Sequence, residues 1–311
     1  MTHDSPVAPT RSTESVVLSS ATAAGRLAAP LFWAHAAIII FSTVALVTIL
    51  AGPPPDWLKG EPNATIYRLG WRFSGPTYVV LGALAALMHA AAALGWRRAT
   101  ALLVVGSAIS LGSELLGTST GLPFGDYQYT GLLGYRILGL VPFPIPLSWF
   151  FMIYGSLAIC GRLLTARDDA GTRWRWALVG GAILTAWDVA MDPAMSAATS
   201  HWIWQQEGFF YGMPLINWMG WYVTGVLVSR AMLAIAPPSA FAERVSPAWL
   251  PVALYAVNGV MPIAMTARAG MWWACGLGAI AMAVPLWLAI RARGRAPGRA
   301  HVPSPSLARA P

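Results

Sequence analysis

Long apolar segments alternate with short polar or basic segments along almost the whole chain. Each apolar segment is close to the roughly 20 residues that a helix needs to cross a bilayer. The pattern therefore predicts an all-α, polytopic membrane helical bundle with about eight transmembrane helices. The eight segments are residues 32–51, 77–95, 99–117, 146–164, 176–197, 215–236, 248–266 and 270–290.

The two ends of the chain differ from this pattern. Residues 1–30 are rich in Ser, Thr and Ala and lack the apolar core of a secretory signal, so they predict a flexible cytoplasmic tail. Residues 31–290 are interpreted as a single integral membrane domain. Residues 291–311 are basic and rich in Pro, which predicts a second cytoplasmic tail.

Composition agrees with a membrane protein. Hydrophobic residues make up 57% of the 311 residues and charged residues only 10%, with a mean hydropathy of +0.58. Soluble domains carry about 25% charged residues, so a water-soluble enzyme and a disordered regulator are excluded. The two cysteines, Cys160 and Cys275, lie in separate apolar segments, which argues against a disulfide scaffold or a CxxC site.

The net charge of +8 does not indicate nucleic-acid binding, because the basic residues follow the membrane topology. Fifteen of the 20 lie on the side that holds both termini, which the positive-inside rule assigns to the cytoplasm of a multi-pass cell-membrane protein. Such residues contact lipid headgroups. The five on the opposite side are Lys59, Arg68, Arg72, Arg136 and Arg268.

Five acidic residues lie within or beside apolar segments, on the extracytoplasmic side of this topology. A carboxylate at the centre of a membrane helix costs about 2.5–3.5 kcal/mol to insert, so such residues indicate a functional site. The alternative is a structural contact between helices or an ion pair, for which Arg136 and His201 are available. The five acids are Glu114, Asp126, Asp188, Asp192 and Glu207.

Asp188 and Asp192 are four residues apart and therefore share one face of the fifth segment. Two carboxylates this close repel each other, and burial adds to the effect, so at least one is expected to be protonated near neutral pH. A carboxylic acid kept neutral in an apolar site is what general-acid catalysis requires.

Two loops on the extracytoplasmic side are unusually apolar. Residues 118–147 contain only two charged residues among many Gly, Pro and aromatic residues, and residues 201–218 have the same character. Such loops are expected to fold back against the protein as a partly re-entrant segment. Together they are predicted to cover a cavity, although an aromatic belt at the membrane interface is an alternative. The predicted lining is Tyr127, Tyr129, Trp202, Trp204, Phe209, Phe210 and Tyr211.

Several common site motifs are absent from the sequence. No GxGxxG follows a strand, no GxSxG occurs, and no two of the five histidines have metal-ligand spacing. We therefore predict neither a nucleotide cofactor nor a metal site. His35 and His89 are interpreted as hydrogen-bonding residues between helices.

Two long blocks resemble the CruF-type carotenoid biosynthesis membrane proteins. Residues 114–154 read ELLGTSTGLPFGDYQYTGLLGYRILGLVPFPIPLSWFFMIY, and residues 187–225 read WDVAMDPAMSAATSHWIWQQEGFFYGMPLINWMGWYVTG. The second block carries the Asp-Pro, Trp-x-Trp, Tyr-Gly-x-Pro and Asn features of that family. One departure is Phe210-Tyr211, where two tyrosines are expected.

The resemblance implies a hydratase without a cofactor, which adds water to the terminal double bond of an acyclic carotenoid end such as that of gamma-carotene or lycopene. Protonation of the alkene by a carboxylic acid would give a tertiary cation that water captures. The candidate catalytic residues are Glu114, Asp126, Asp188 and Asp192. The candidate substrate-binding residues are Tyr127, Tyr129, His201, Trp202, Trp204, Glu207, Tyr211 and Asn217.

Three other functions remain open from the sequence. A carotenoid-binding or delivery protein would use the aromatic residues without needing the acids, and a transporter would use buried acids as proton relays. A carotenoid end-group cyclase would share the protonation step and exclude water. The partners expected are the carotenoid in the bilayer, membrane lipids and other carotenoid pathway enzymes such as a glycosyltransferase.

Overall fold

The computed structural model describes residues 11–49 and 55–293, and the described chain is mostly helical. The helices are α1 Arg11–Val44, α2 Asp56–Lys59, α3 Asn63–Leu94, α4 Trp96–Thr120, α5 Pro144–Leu163, α6 Ala170–Ser196, α7 Ile216–Ile235, α8 Pro238–Ala240, α9 Leu250–Val257, α10 Val260–Arg268 and α11 Trp272–Arg293. The strands are β1 Tyr127–Tyr129, β2 Arg136–Ile137, β3 Val141–Pro142 and β4 Trp202–Trp204. A 3₁₀ turn spans Gly131–Leu133, and π-helical segments span Ala45–Ile49 and Phe241–Val245.

Seven helices within the described residues are long and apolar enough to cross a membrane. They correspond to seven of the eight predicted segments, which confirms a polytopic helical membrane protein. The seventh predicted segment is interrupted, because α9 ends at Val257 and α10 begins at Val260.

The remaining predicted segment, 176–197, forms α6, which is 27 residues long but is not among the seven. Its two aspartates, Asp188 and Asp192, lower the hydropathy of its second half. Most of the side chains in that half are buried, so α6 packs inside the bundle in the described structure.

The helix α1 begins at Arg11, so residues 11–30 are helical where the sequence suggested a flexible tail. The physical reason is the run of alanines, which have the highest helix propensity, and Ala24 and Ala28 are buried against the bundle. Residues 1–10 and 294–311 lie outside the described residues. The division of the chain into one membrane domain and two tails otherwise stays a prediction.

The helix α5 forms the centre of the bundle. Every side chain from Trp149 to Cys160 is buried, and the helix contacts α3, α4, α6 and α9. A helix that is apolar on all sides is expected in such a position.

The two histidines of the apolar segments connect helices, as predicted. His35 Nδ1 lies 2.6 Å from the carbonyl oxygen of Tyr78, and its Nε2 lies 3.1 Å from the amide nitrogen of Asn258. His89 Nδ1 lies 2.7 Å from the hydroxyl of Tyr154.

Candidate active site

The two aromatic loops meet as antiparallel strands. In the β1–β4 pair, Tyr127 is opposite Trp204 and Tyr129 is opposite Trp202. Successive side chains of a strand point to opposite faces, so both tyrosines and both tryptophans face inward. Gln128 and the intervening residue of β4 are exposed. The prediction that the two loops come together over the bundle is confirmed.

Glu114 of α4 lies beneath β1 and is almost fully buried. Its Oε2 accepts hydrogen bonds from the hydroxyls of Tyr127 at 2.5 Å and Tyr129 at 2.9 Å. Its Oε1 accepts a hydrogen bond from Nε1 of Trp149 in α5 at 3.1 Å. Three donors on two elements, β1 and α5, therefore fix this side chain.

Two glycines allow β1 to approach Glu114. A Cβ at Gly117, one turn after Glu114, would lie 2.7 Å from the ring of Phe124 and 3.2 Å from the hydroxyl of Tyr127. Gly125 has a positive φ of 109°, and a Cβ there would lie 2.7 Å from Pro214. Only glycine fits the close contacts at both positions and the positive φ at Gly125. The path of the loop therefore depends on these two glycines.

Asp192 of α6 accepts hydrogen bonds from the β4 side of the pair. Nε1 of Trp204 lies 3.1 Å from its Oδ1, and Nε1 of Trp202 lies 3.2 Å from its Oδ2. The Ser196 hydroxyl lies 3.0 Å from Oδ1, and the amide nitrogen of Asn217 lies 3.3 Å from Oδ2. Asp192 is therefore held by donors from α6, α7 and β4.

Asp188 lies one turn before Asp192 and is fully buried. Its Oδ2 accepts a hydrogen bond from the amide nitrogen of Asn217 at 2.9 Å. Its Oδ1 has no hydrogen-bond partner among the described residues. Asn217 thus bridges the two aspartates, and the two acids differ sharply in the number of their donors.

The aromatic residues link Glu114 to Asp192. The rings of Tyr127 and Trp204 lie 5.4 Å apart, and those of Tyr129 and Trp202 lie 5.9 Å apart. In each pair the tyrosine donates to Glu114 and the tryptophan to Asp192. The two acids are thereby held by one layer of four aromatic side chains.

Both Glu114 and Asp192 line one cavity of about 70 Å³, whereas Asp188 does not. The cavity is otherwise mostly apolar. Trp149 and Trp221 stack on its wall with ring centres 4.3 Å apart, and Trp187 meets Trp221 edge-on at 5.8 Å. An apolar cavity with a few convergent polar groups is the usual form of a small-molecule site.

Burial shifts the pKa of three titrating residues in the two loops. Burial raises the pKa of Tyr127 and of Tyr129 well above the usual value, so both remain hydrogen-bond donors. Burial lowers the pKa of His201 to about 4, so its imidazole is neutral at neutral pH.

The other predicted site residues lie elsewhere. Asp126 and Glu207 are exposed, outside the cavity. Phe209 is 85% exposed. Phe210 and Tyr211 belong to a separate apolar cluster beside α11.

The proposed ionic partners of the acids make other contacts. Arg136 is exposed and donates to the carbonyl oxygen of Tyr129 at 3.1 Å. His201 contacts the hydroxyl of Thr199 and lines a second cavity. The described acids of the site are therefore held by neutral donors.

Several site residues were not identified from the sequence. Trp149 is indistinguishable by sequence from a membrane-interface tryptophan, and Ser196 is a common polar residue of helix ends. The conformation that brings Asn258 to the cavity depends on the break between α9 and α10. Trp149 lies within the first quoted block, and Trp187, Ser196 and Trp221 lie within the second, so these blocks were the available signal.

No group of three or more His, Cys, Asp or Glu residues with the arrangement of a metal site occurs within residues 11–49 and 55–293.

Comparisons with known proteins point to carotenoid metabolism. Residues 74–285 match the family model described as carotenoid biosynthesis protein. The bisanhydrobacterioruberin hydratase of Haloarcula japonica is 31% identical over 190 residues, which cover 60% of this chain and 60% of that protein. The chain therefore matches only part of the length of that relative. No solved structure matches. Because the family match covers more than half of the chain and contains Glu114, Asp188 and Asp192, this polytopic membrane protein belongs to the carotenoid biosynthesis protein family.

Proposed function

We propose that this protein is a carotenoid hydratase that adds water to the terminal double bond of an acyclic carotenoid end. The observation that carries the proposal is the pair of buried acids, Glu114 and Asp192, on one apolar, aromatic-lined cavity. The hydratase activity named for the Haloarcula japonica relative supports it.

Glu114 is suited to deliver the proton. Two of its three partners are the hydroxyls of Tyr127 and Tyr129. A hydroxyl can accept as well as donate, so these contacts hold Glu114 both as the neutral acid and as the carboxylate. Burial in an apolar site favours the neutral acid before the reaction. Transfer of its proton to the less substituted alkene carbon leaves a Glu114 carboxylate and a tertiary cation.

Asp192 is suited to be the carboxylate that receives a proton from water. Both indoles that contact it, those of Trp202 and Trp204, can only donate. Asp188 accepts a hydrogen bond from one donor, Asn217, whereas four donors contact the Asp192 carboxyl. One negative charge on this pair of acids is therefore more stable on Asp192. Water attacks the cation as Asp192 takes its proton. The product is a tertiary alcohol, and the cycle closes when a proton moves from Asp192 back to Glu114.

The cavity wall stabilises the cation between these two steps. Trp149, Trp187 and Trp221 are the described tryptophans that line it besides the two of the strand pair. A cation over an aromatic face gains about 0.5–2 kcal/mol.

The test is expression in cells that accumulate lycopene or gamma-carotene, followed by chromatography of the pigments with mass detection. A product heavier by one water, with an unchanged visible spectrum, is expected. Glu114→Gln and Asp192→Asn are expected to lower its formation by at least about 100-fold, since general acid–base groups contribute about 10²–10⁴. Product formation is compared per unit of protein in the membrane.

Glu243→Gln is the matched control, because Glu243 is exposed and lies outside both cavities. It should retain the activity of the unmodified protein. An isomer of unchanged mass would indicate a cyclase instead. Normal hydration by both acid variants would contradict the assignment of the site, and carotene bound without any conversion would favour a delivery protein.

A further inference from the structure

A second cavity adjoins the first on the side of α1 and α3. It has a volume of about 400 Å³ and is lined by residues of α1, the π-helical segment Ala45–Ile49, α2, α3, α6 and α10, together with parts of the two loops. Three residues line both cavities: Tyr78, Met195 and Met261. The two cavities are therefore neighbouring compartments.

The partition between the two cavities consists of residues that line one or both of them. Leu132 lines the second cavity, and its neighbour Leu133 lines the first. Likewise, His201 lines the second cavity, and its neighbour Trp202 lines the first. Met195 and Met261 complete the partition, and methionine side chains adapt readily to the shape of a ligand. A chain-like molecule could pass across this partition with small side-chain rotations.

The two compartments have different chemistry. The first contains Glu114 and Asp192, whereas none of the described residues that line the second is charged. The imidazole of His201 in the second cavity is neutral, because burial lowers its pKa. The second cavity thus suits an uncharged hydrocarbon and provides no acid for protonation.

We propose that the second cavity binds the polyene chain of the same substrate molecule whose terminal double bond lies in the first. This inference rests on the proposed function. The substrate enters end-on, with its reacting end between Glu114 and Asp192 and its chain passing Tyr78, Met195 and Met261 toward α1 and α3. One end of the carotenoid is therefore bound at a time, and the site recognises a long linear hydrocarbon rather than a short alkene.

Gly70 allows the second cavity to be filled selectively. It lines this cavity within α3, and a Cβ at this position would have no heavy atom within 4 Å. Gly70→Leu and Gly70→Trp should therefore occupy cavity space while leaving Glu114 and Asp192 unchanged. Ser74 lies one turn further along the same helix and lines the same cavity, so Ser74→Trp is a second, independent variant.

The experiment measures lycopene affinity of the full-length protein purified in detergent. Gly70→Trp or Ser74→Trp is expected to weaken binding at least tenfold, with a smaller effect for Gly70→Leu. Gly276→Trp is the control, because Gly276 of α11 also has no heavy atom near its Cβ position and lines neither cavity. It should bind lycopene like the unmodified protein.

Two results would overturn the inference: unchanged affinity in both Gly70→Trp and Ser74→Trp, or an equal loss in Gly276→Trp. The outcome is separable from that of the proposed function. If lycopene binding depends on Gly70 but no hydrated product forms, the hydratase proposal fails and the binding cavity stands. If hydration occurs and Gly70→Trp and Ser74→Trp bind lycopene normally, the hydratase proposal stands and the assignment of the second cavity fails.

Discussion

The hydrogen bond from Trp204 to Asp192 gives a quantitative test of the proposed carboxylate. Nε1 of Trp204 lies 3.1 Å from Oδ1 of Asp192, and its ring lies 5.4 Å from that of Tyr127. Trp204→Phe keeps an aromatic ring beside Tyr127 and removes the N–H donor. The change therefore isolates one interaction with the acid.

The expected loss follows from the charge of Asp192. A hydrogen bond to a charged group contributes about 1.5–3 kcal/mol, and each 1.36 kcal/mol corresponds to about a tenfold change in rate. Because the indole donors stabilise the carboxylate form that must be present when water attacks, Trp204→Phe lowers the ionised fraction of Asp192, and kcat should fall by roughly 10- to 150-fold. Trp202→Phe should act similarly, since its Nε1 lies 3.2 Å from Oδ2.

Ser196→Ala should have a smaller effect than either tryptophan variant. The Ser196 hydroxyl also lies 2.8 Å from the carbonyl oxygen of Asp192, so its single hydrogen is shared between two acceptors. The assay is the initial rate of hydrated carotenoid formation by protein in detergent, normalised to the amount of folded protein. Trp272→Phe is the control, because this side chain is 69% exposed.

Turnover within twofold of the unmodified protein in both Trp204→Phe and Trp202→Phe would contradict the role of Asp192 as the carboxylate. Such a result would mean that Asp192 carries no negative charge in the slow step. A loss of folded protein without a loss of specific activity would assign these donors a structural role only.

Two further predictions concern the exposed acids and the packing of α6. Asp126→Asn and Glu207→Gln should each retain turnover within twofold, because both side chains lie outside the cavity; a hundredfold loss in the pigment assay would return them to the catalytic site. Gly181→Leu should destabilise the protein by about 1–3 kcal/mol or more, as expected for overpacking, since a Cβ there would lie 2.8 Å from Val226. Thermal unfolding in detergent checks this, with Gly112→Leu as the control, where a Cβ meets no atom within 4 Å; equal melting temperatures would contradict the close contact.

The acids at the centre of the site could be predicted from the sequence because buried charge is rare and costly. Glu114 and Asp192 stand out in apolar segments for that reason, and both line the cavity. The same criterion also selected Asp126 and Glu207, which are exposed. The difference depends on where a loop turns after a helix ends, and local hydropathy does not determine that path.

The partners of the acids were harder to predict. The Tyr-x-Tyr and Trp-x-Trp spacings fit strands, and the structure pairs them. Trp149 could not be selected, because tryptophans are frequent at membrane interfaces for other reasons. Phe209 and Phe210 were included for their aromatic character, and Tyr211 also for its place in the Tyr-Gly-x-Pro feature. Phe210 packs with Met213 and Ala274 away from the cavity.

The three-residue ladder between β1 and β4 makes the chemistry sensitive to chain length. A shift of one residue in strand pairing turns every side chain to the opposite face. Such a shift in β1 would direct Gln128 inward and remove both phenolic donors from Glu114. A shift in β4 would direct Ile203 inward and remove both indole donors from Asp192. Deletion of one residue that shifts either strand would therefore remove two hydrogen-bond donors from one acid at once. Transfer of this site to another helical bundle would require both loops together.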